Sequence, residues 1–204
     1  ASVALFAKEF TTPIERIQTA GTGDIVTYFN VPEATLYGIE FDVYKSLDAL
    51  AEWSWIERIG LGALPWDEVF IGANYSKIES KVSLTRETAG VATNLERPLQ
   101  GQSPYVVNFQ LGWQPEDGES EATVLYNVSG RRISEVGAYG VPDVYEEPFG
   151  SLDFVFATKL GSGWKLKLRL RNLLDPTAEF TQGREVTRVF KRGREAVLSL
   201  EWTP

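Results

Sequence analysis

A period of two in the alternation of apolar and polar residues constrains this chain more than any other feature, because successive side chains of a strand point to opposite faces. From Trp164 to Leu174 the even positions read Trp164, Leu166, Leu168, Leu170 and Leu174, broken at Asn172, while the odd ones read Lys165, Lys167, Arg169 and Arg171. Such a segment is a strand with one dry and one wet face. The same alternation runs through Ala34–Leu47, Pro104–Trp113, Ala122–Val128, Ser151–Leu160 and Glu195–Trp202, with further strands at Val69–Tyr75 and Val3–Phe10. The pattern predicts about eight strands, several near the ~10 residues that cross a bilayer when tilted. Leu47–Ile59 is the one helical candidate.

The connections differ in length. Gln114–Ser120 and Gly161–Gly163 read as tight turns, whereas Thr11–Phe29, Thr85–Gln102 and Gly130–Gly150 read as long loops bearing Gly and Pro. Short turns at one end and long loops at the other are the habit of outer-membrane barrels, though a soluble sandwich also mixes loop lengths. In an up-and-down meander Trp66, Trp113, Trp164 and Trp202 all fall at one end, as an aromatic girdle would.

Composition removes most alternatives. The 204 residues contain no Cys, His or Met. That excludes a Ser-His-Asp triad, a thiolate nucleophile, a zinc cluster and disulfides, and no metal or cofactor site is expected. A formal net charge of -8 disfavours nucleic acid as a partner. No run approaches the ~18 apolar residues of a membrane-spanning helix, a test that strands of a β-barrel escape. The acid pairs Glu146 with Glu147, Asp117 with Glu119 and Glu40 with Asp42 fall where solvated carboxylates are common, so enzymatic activity is not expected.

Alternation alone does not say which face looks inward. A lipocalin-type barrel turns its dry side chains in and a porin-type barrel turns them out. The basic row Lys165, Lys167, Arg169 and Arg171 is either a solvated face or the lining of a wet lumen.

Six motifs in order carry a resemblance: Asn30–Glu40 (NVPEATLYGIE), Arg97–Asn108 (RPLQGQSPYVVN), Tyr126–Ile133 (YNVSGRRI), Gly137–Pro148 (GAYGVPDVYEEP), Asn172–Asp175 (NLLD) and Lys191–Arg194 (KRGR). With them the chain resembles the C-terminal β-barrel segment of TonB-dependent outer-membrane receptors. The motif positions are Arg97, Gln102, Ser103, Pro104, Asn108, Asn127, Gly130, Arg132, Asn172 and Asp175. Gly38 and Gly112 remove side chains where backbone or a plug domain approaches, and Asn172 with Asp175 suggests a bend.

The resemblance implies an all-β fold, an antiparallel up-and-down transmembrane barrel segment of about eight strands from a larger, ~22-stranded barrel. Residues 1–204 would be its C-terminal part, with the plug domain and upstream strands absent. The implied setting is the bacterial outer membrane. Implied partners are its lipid, the receptor's own plug and through it TonB, the barrel-assembly machinery, and a small or oligomeric ligand. The family usually closes on an aromatic residue, whereas here Trp202 is followed by Thr203 and Pro204. Lys165, Lys167, Arg169 and Arg171 are then expected to face the lumen. Arg131, Arg132, Tyr139 and Tyr145, in an external loop, are the ligand-contact candidates. The rival reading is a soluble β-sandwich or small barrel that binds a sugar or hydrophobic ligand.

Overall fold

The computed structural model describes residues 1–19, 25–61, 64–87 and 89–203. Along the chain run β1 (Ser2–Thr11), β2 (Ile14–Thr19), β3 (Ile25–Asn30), β4 (Glu33–Ser46), β5 (Val69–Ser83), β6 (Glu96–Arg97), β7 (Tyr105–Trp113) and β8 (Ser120–Ser129). They are followed by β9 (Arg132–Gly137), β10 (Val144–Glu146), β11 (Gly150–Gly161), β12 (Trp164–Arg171), β13 (Thr177–Gln182), β14 (Glu185–Lys191) and β15 (Glu195–Trp202). Between β4 and β5 lie two 3-10 turns, Asp48–Glu52 and Trp66–Glu68, and the one-turn helix α1 (Ser54–Arg58). The helical expectation over Leu47–Ile59 is thus met only in fragments.

The eight strands predicted from alternation form one antiparallel sheet in the order β1-β4-β5-β7-β8-β11-β12-β15, with β6 paired to β5 beside it. The sheet is open, with β1 and β15 at its edges. The registers align the alternation of each strand with that of its neighbours. Leu166, Leu168 and Leu170 face Leu200, Leu198 and Ala196 on one side, and Phe156 and Phe154 meet Leu168 and Leu170 on the other. The row continues through Val124 and Tyr126, Phe109 and Leu111, Ile71 and Ala73, and Val43 and Phe41, to Val3 and Leu5. One face of the sheet is therefore apolar from edge to edge. Nothing covers its outer strands: Leu5 is 80% and Leu198 68% exposed. A sandwich would bury that face under a second sheet.

The six remaining strands form a second sheet in the order β14-β13-β10-β9-β2-β3. β2, β3, β9 and β10 fall in the connections read from the sequence as long loops, and the structure corrects that expectation; β13 and β14 fall in the stretch between Asp175 and Arg194, for which no strand was predicted. The pairs β1–β4, β8–β11 and β12–β15 of the main sheet continue past its upper end as β2–β3, β9–β10 and β13–β14. Proline sets the joint between β1 and β2, because it supplies no N–H to a ladder. Thr12 N–H donates to Pro32 O (3.1 Å) and Val31 N–H to Pro13 O (2.9 Å), so the pairing bends there and resumes as β2 and β3.

The buried core sits in this upper platform. Ile17, Ile133, Val136 and Ala138 form one cluster, Val144, Ala178 and Phe180 another, and Val31, Ala34, Val82, Leu84 and Ala89 a third at the junction. Burying a side chain such as Ile17 stabilises by about 1.5–3 kcal/mol, so these clusters hold residues far apart in sequence together. At the opposite end Trp66, Trp113, Trp164 and Trp202 share the lower edge. Trp113 Nε1 donates to Glu68 (2.9 Å), Trp66 Nε1 donates to Leu61 O (3.0 Å), and the rings of Trp164 and Trp202 are 6.3 Å apart.

Candidate functional site

The face opposite the apolar band is polar and bears a trough of about 530 Å³, lined among others by Ser2, Asp42, Tyr44, Asn74, Gln110 and Asp153. Its floor is an asparagine ladder set by register, with Asn74 opposite Asn108 and Asn108 opposite Asn127. Asn127 Nδ2 donates to Asn108 Oδ1 (2.5 Å), and Asn108 Nδ2 donates to Asn74 Oδ1 (3.1 Å). Asn74 Nδ2 in turn donates to Glu40 (2.5 Å) and Asp42 (2.8 Å). Four strands are thus tied at one level, with Asn108 and Asn74 each giving and receiving. Two motif positions, Asn108 and Asn127, belong to this ladder.

The basic row lies on the same polar face. Lys165 approaches Glu121 (3.4 Å) and Arg171 approaches Glu195 (3.5 Å), while Lys167 and Arg169 stand opposite Ser199 and Val197. Glycines on this face are covered from within the sheet. A Cβ on Gly38 would meet the Lys77 carbonyl oxygen at 2.5 Å and the Phe6 ring at 2.6 Å, and one on Gly112 would meet the Phe70 ring at 2.0 Å. The close approach expected at these glycines is made at Gly38 by neighbouring backbone and an aromatic ring, and at Gly112 by an aromatic ring.

Above the trough the platform is held by buried carboxylates, each met by arginine. Glu15 and Arg97 form a bidentate pair, through Nη1 (2.8 Å) and Nη2, and Gln100 N–H adds a third bond to the Glu15 carboxylate (3.0 Å). Glu135 meets Arg16 (3.2 Å) and Arg188 (3.9 Å). Glu146 meets Arg132 (2.6 Å) and Arg192 (3.9 Å). Buried carboxylates require such partners because an unpaired buried charge costs several kcal/mol. The other motif positions serve the same scaffold. Gln102 donates to Ser103 O (2.7 Å), Ser103 is buried, Pro104 O accepts from Ile78 N–H (2.9 Å), and Gly130 leaves room for Tyr105 and Pro104. Asn172 (φ 55°) and Asp175 (φ 46°) make the expected bend, with Asn172 Nδ2 bonded to Gly193 O (2.6 Å) and Asp175 accepting from Gly193 N–H (3.1 Å).

The external-loop candidates divide. Arg132 is engaged by Glu146, and Arg131 by Glu147 (2.8 Å), by Thr181 (3.0 Å) and by stacking over Tyr145 (4.0 Å). Burial and then the nearby Asp143 push the Tyr145 phenol up, with Arg131 and Arg97 opposing. Tyr139 is 71% exposed at φ 55°. A second cavity of about 500 Å³ opens where platform and polar face meet, and it gathers Arg132, Arg171, Arg192 and Arg194 beside Phe149 and Asn172. The sequence reading gave no role to Arg192 and Arg194 there. Their KRGR motif was the available signal.

No curated protein matches the chain. Residues 1–173 match the family described as TonB dependent receptor-like, beta-barrel. Among solved structures, a variant of the ferric enterobactin receptor of Pseudomonas aeruginosa is similar at 16% identity and a TM-score of 0.51, over 86% of this chain and 23% of that one. Two further variants of that receptor, each in complex with enterobactin, are similar at 17% and 18% identity, with TM-scores of 0.52 and 0.51, over 86% of this chain and 24% of theirs. The chain therefore spans about a quarter of the solved receptors it matches, and at these identities the likeness concerns the fold.

Proposed function

Because the chain belongs to the TonB-dependent receptor-like β-barrel family, we propose that it is the C-terminal wall of an outer-membrane receptor that takes up a scarce, bulky ligand such as a siderophore or oligosaccharide. The observation that carries this reading is the two-faced sheet, apolar from edge to edge on one side and polar on the other. The apolar face meets lipid. The polar face, with the asparagine ladder and the row Lys165, Lys167, Arg169 and Arg171, lines the lumen against the plug domain, and through that plug TonB supplies the energy.

The platform is the extracellular part. Its ion pairs leave Arg131 and Arg132 as struts, and Tyr139 is the ligand-facing aromatic of the external loop. Beyond those struts the upper cavity sets Arg171, Arg192 and Arg194 against Asp153 and Glu195, and the excess of cations favours an anionic ligand at the mouth. Nothing in this assembly calls for catalysis, and the receptor acts as a carrier.

Charge placed on each face tests the reading. Leu168→Arg turns a cation toward hydrocarbon at a cost of about 2–4 kcal/mol near the midplane, and should abolish assembly into the outer membrane. Lys167→Leu, one residue away, should assemble normally in the receptor that carries this chain. Equal assembly of both variants, measured by heat-modifiable migration and fractionation, would contradict the proposal.

A further inference from the structure

The connection between β4 and β5 departs from the short-turn pattern of the lower edge. It carries exposed Trp53, Ile59, Leu61 and Leu64, yet it also carries five acids, Asp48, Glu52, Glu57, Asp67 and Glu68, against the single base Arg58. Its return to the sheet is fixed. Leu47 N–H donates to Val69 O (2.8 Å), Glu68 O accepts from Gln114 N–H (2.9 Å), and the Glu68 carboxylate holds Trp113. This brings Leu64 and Pro65 over the lower apolar face, where with Leu111, Trp113, Val124 and Phe154 they border an almost wholly apolar groove of about 460 Å³.

We propose that this groove holds one acyl chain of a zwitterionic phospholipid, with the β4–β5 connection lying in the membrane interface beside it. The occupant follows from two features. The groove is continuous with the apolar band of the same strands, so the medium on that band is also what enters the groove; this inference rests on the lipid-facing reading above. An amphipathic segment with aromatic residues settles at the headgroup boundary. The acid excess selects the headgroup, because five carboxylates repel an anionic lipid and attract the ammonium of phosphatidylethanolamine. Asp67 is exposed and stands two residues from both Pro65 and Val69 of the groove wall, while the neighbouring Glu68 carboxylate is engaged by Trp113.

Photocrosslinking tests the assignment. The receptor carrying this chain is reconstituted in nanodiscs with phosphatidylethanolamine or phosphatidylglycerol bearing an acyl-chain diazirine, and adducts are mapped by mass spectrometry. The expected result is adduct yield at Leu64–Pro65 and Trp113 at least fivefold above that at Leu198 and Leu200, and higher with phosphatidylethanolamine. Ala122→Phe, which fills the groove from its lining without removing an apolar contact, should bring those adducts down to the level of Leu198. Asp67→Asn should reduce the headgroup preference. Uniform labelling of the band, labelling insensitive to Ala122→Phe, or equal labelling by the two headgroups would overturn this inference and leave the lipid-facing reading intact. Failure to label Leu198 and Leu200 at all would overturn both.

Discussion

Removing Arg97 should release the platform from the barrel wall, and the structure sets the size of the effect. Glu15 is 1% exposed, and its carboxylate is served by two Arg97 nitrogens and one backbone N–H, that of Gln100. Arg97→Ala leaves a buried carboxylate with only that last donor, and breaking a buried pair in this way costs about 3–5 kcal/mol. The same loop binds β2 and β9, through Gln100 to Arg16 N–H (2.6 Å) and Ser134 O (2.7 Å), and through Gly101 N–H to Ile133 O (2.8 Å). Local opening would therefore become easier by that amount, and amide exchange at Arg16 and Gly101 should accelerate about a hundred- to several-thousand-fold, at 1.36 kcal/mol per tenfold. Arg97 Nε is buried without a partner, so the pair is not fully satisfied to begin with. Replacing both members, Glu15→Leu with Arg97→Met, should accordingly recover most of the loss. Hydrogen–deuterium exchange in detergent measures both variants against the parent. If Arg97→Ala leaves both amides within fivefold of the parent, the pair does not hold the platform and the reasoning fails.

Three further outcomes follow from the geometry. Asn108→Ala removes one donor and one acceptor from the ladder and should lower thermal stability by about 1–2 kcal/mol, whereas Gln110→Ala, off the ladder, should cost less. Gly112→Ala drives a methyl into the Phe70 ring and should cost about 1–3 kcal/mol, with Phe70→Ala relieving that increment in a double-mutant cycle. Asn172→Ala should be more destabilising than Asn172→Gly in chemical denaturation, since both lose the bond to Gly193 O but only alanine strains at φ 55°.

The main sheet was legible because each of its strands separates two media, and that separation leaves a period of two that survives in sequence. Leu166 to Leu170 against Lys165 to Arg171 is the clearest instance. The platform was not legible, because strands such as β9 (RISEVG) and β13 (TAEFTQ) bury their apolar side chains against segments remote in sequence. Gly and Pro around them read as loop signals although the chain merely bends. Glu15 and Arg97 lie far apart in the chain and neither is unusual alone, so only the fold reveals their pairing. Arg131 and Arg132 stood out as cations at the mouth of a loop. Their partners, Glu147 and Glu146, stood out separately as an acid pair, and the structure joins the two observations into one scaffold. The NLLD bend and the tryptophan edge were legible because turn chemistry and strand ends are local properties.

These 204 residues contain no cysteine, so a label introduced among them has no competing site in this segment. Single cysteines placed in turn from Lys165 to Leu170 and spin-labelled in the membrane-embedded receptor report, at each position, collision with oxygen dissolved in lipid and with a water-soluble nickel complex. The account predicts strict alternation, with oxygen dominating at 166, 168 and 170 and nickel at 165, 167 and 169. Accessibilities of the opposite phase, or without a period of two, would contradict it.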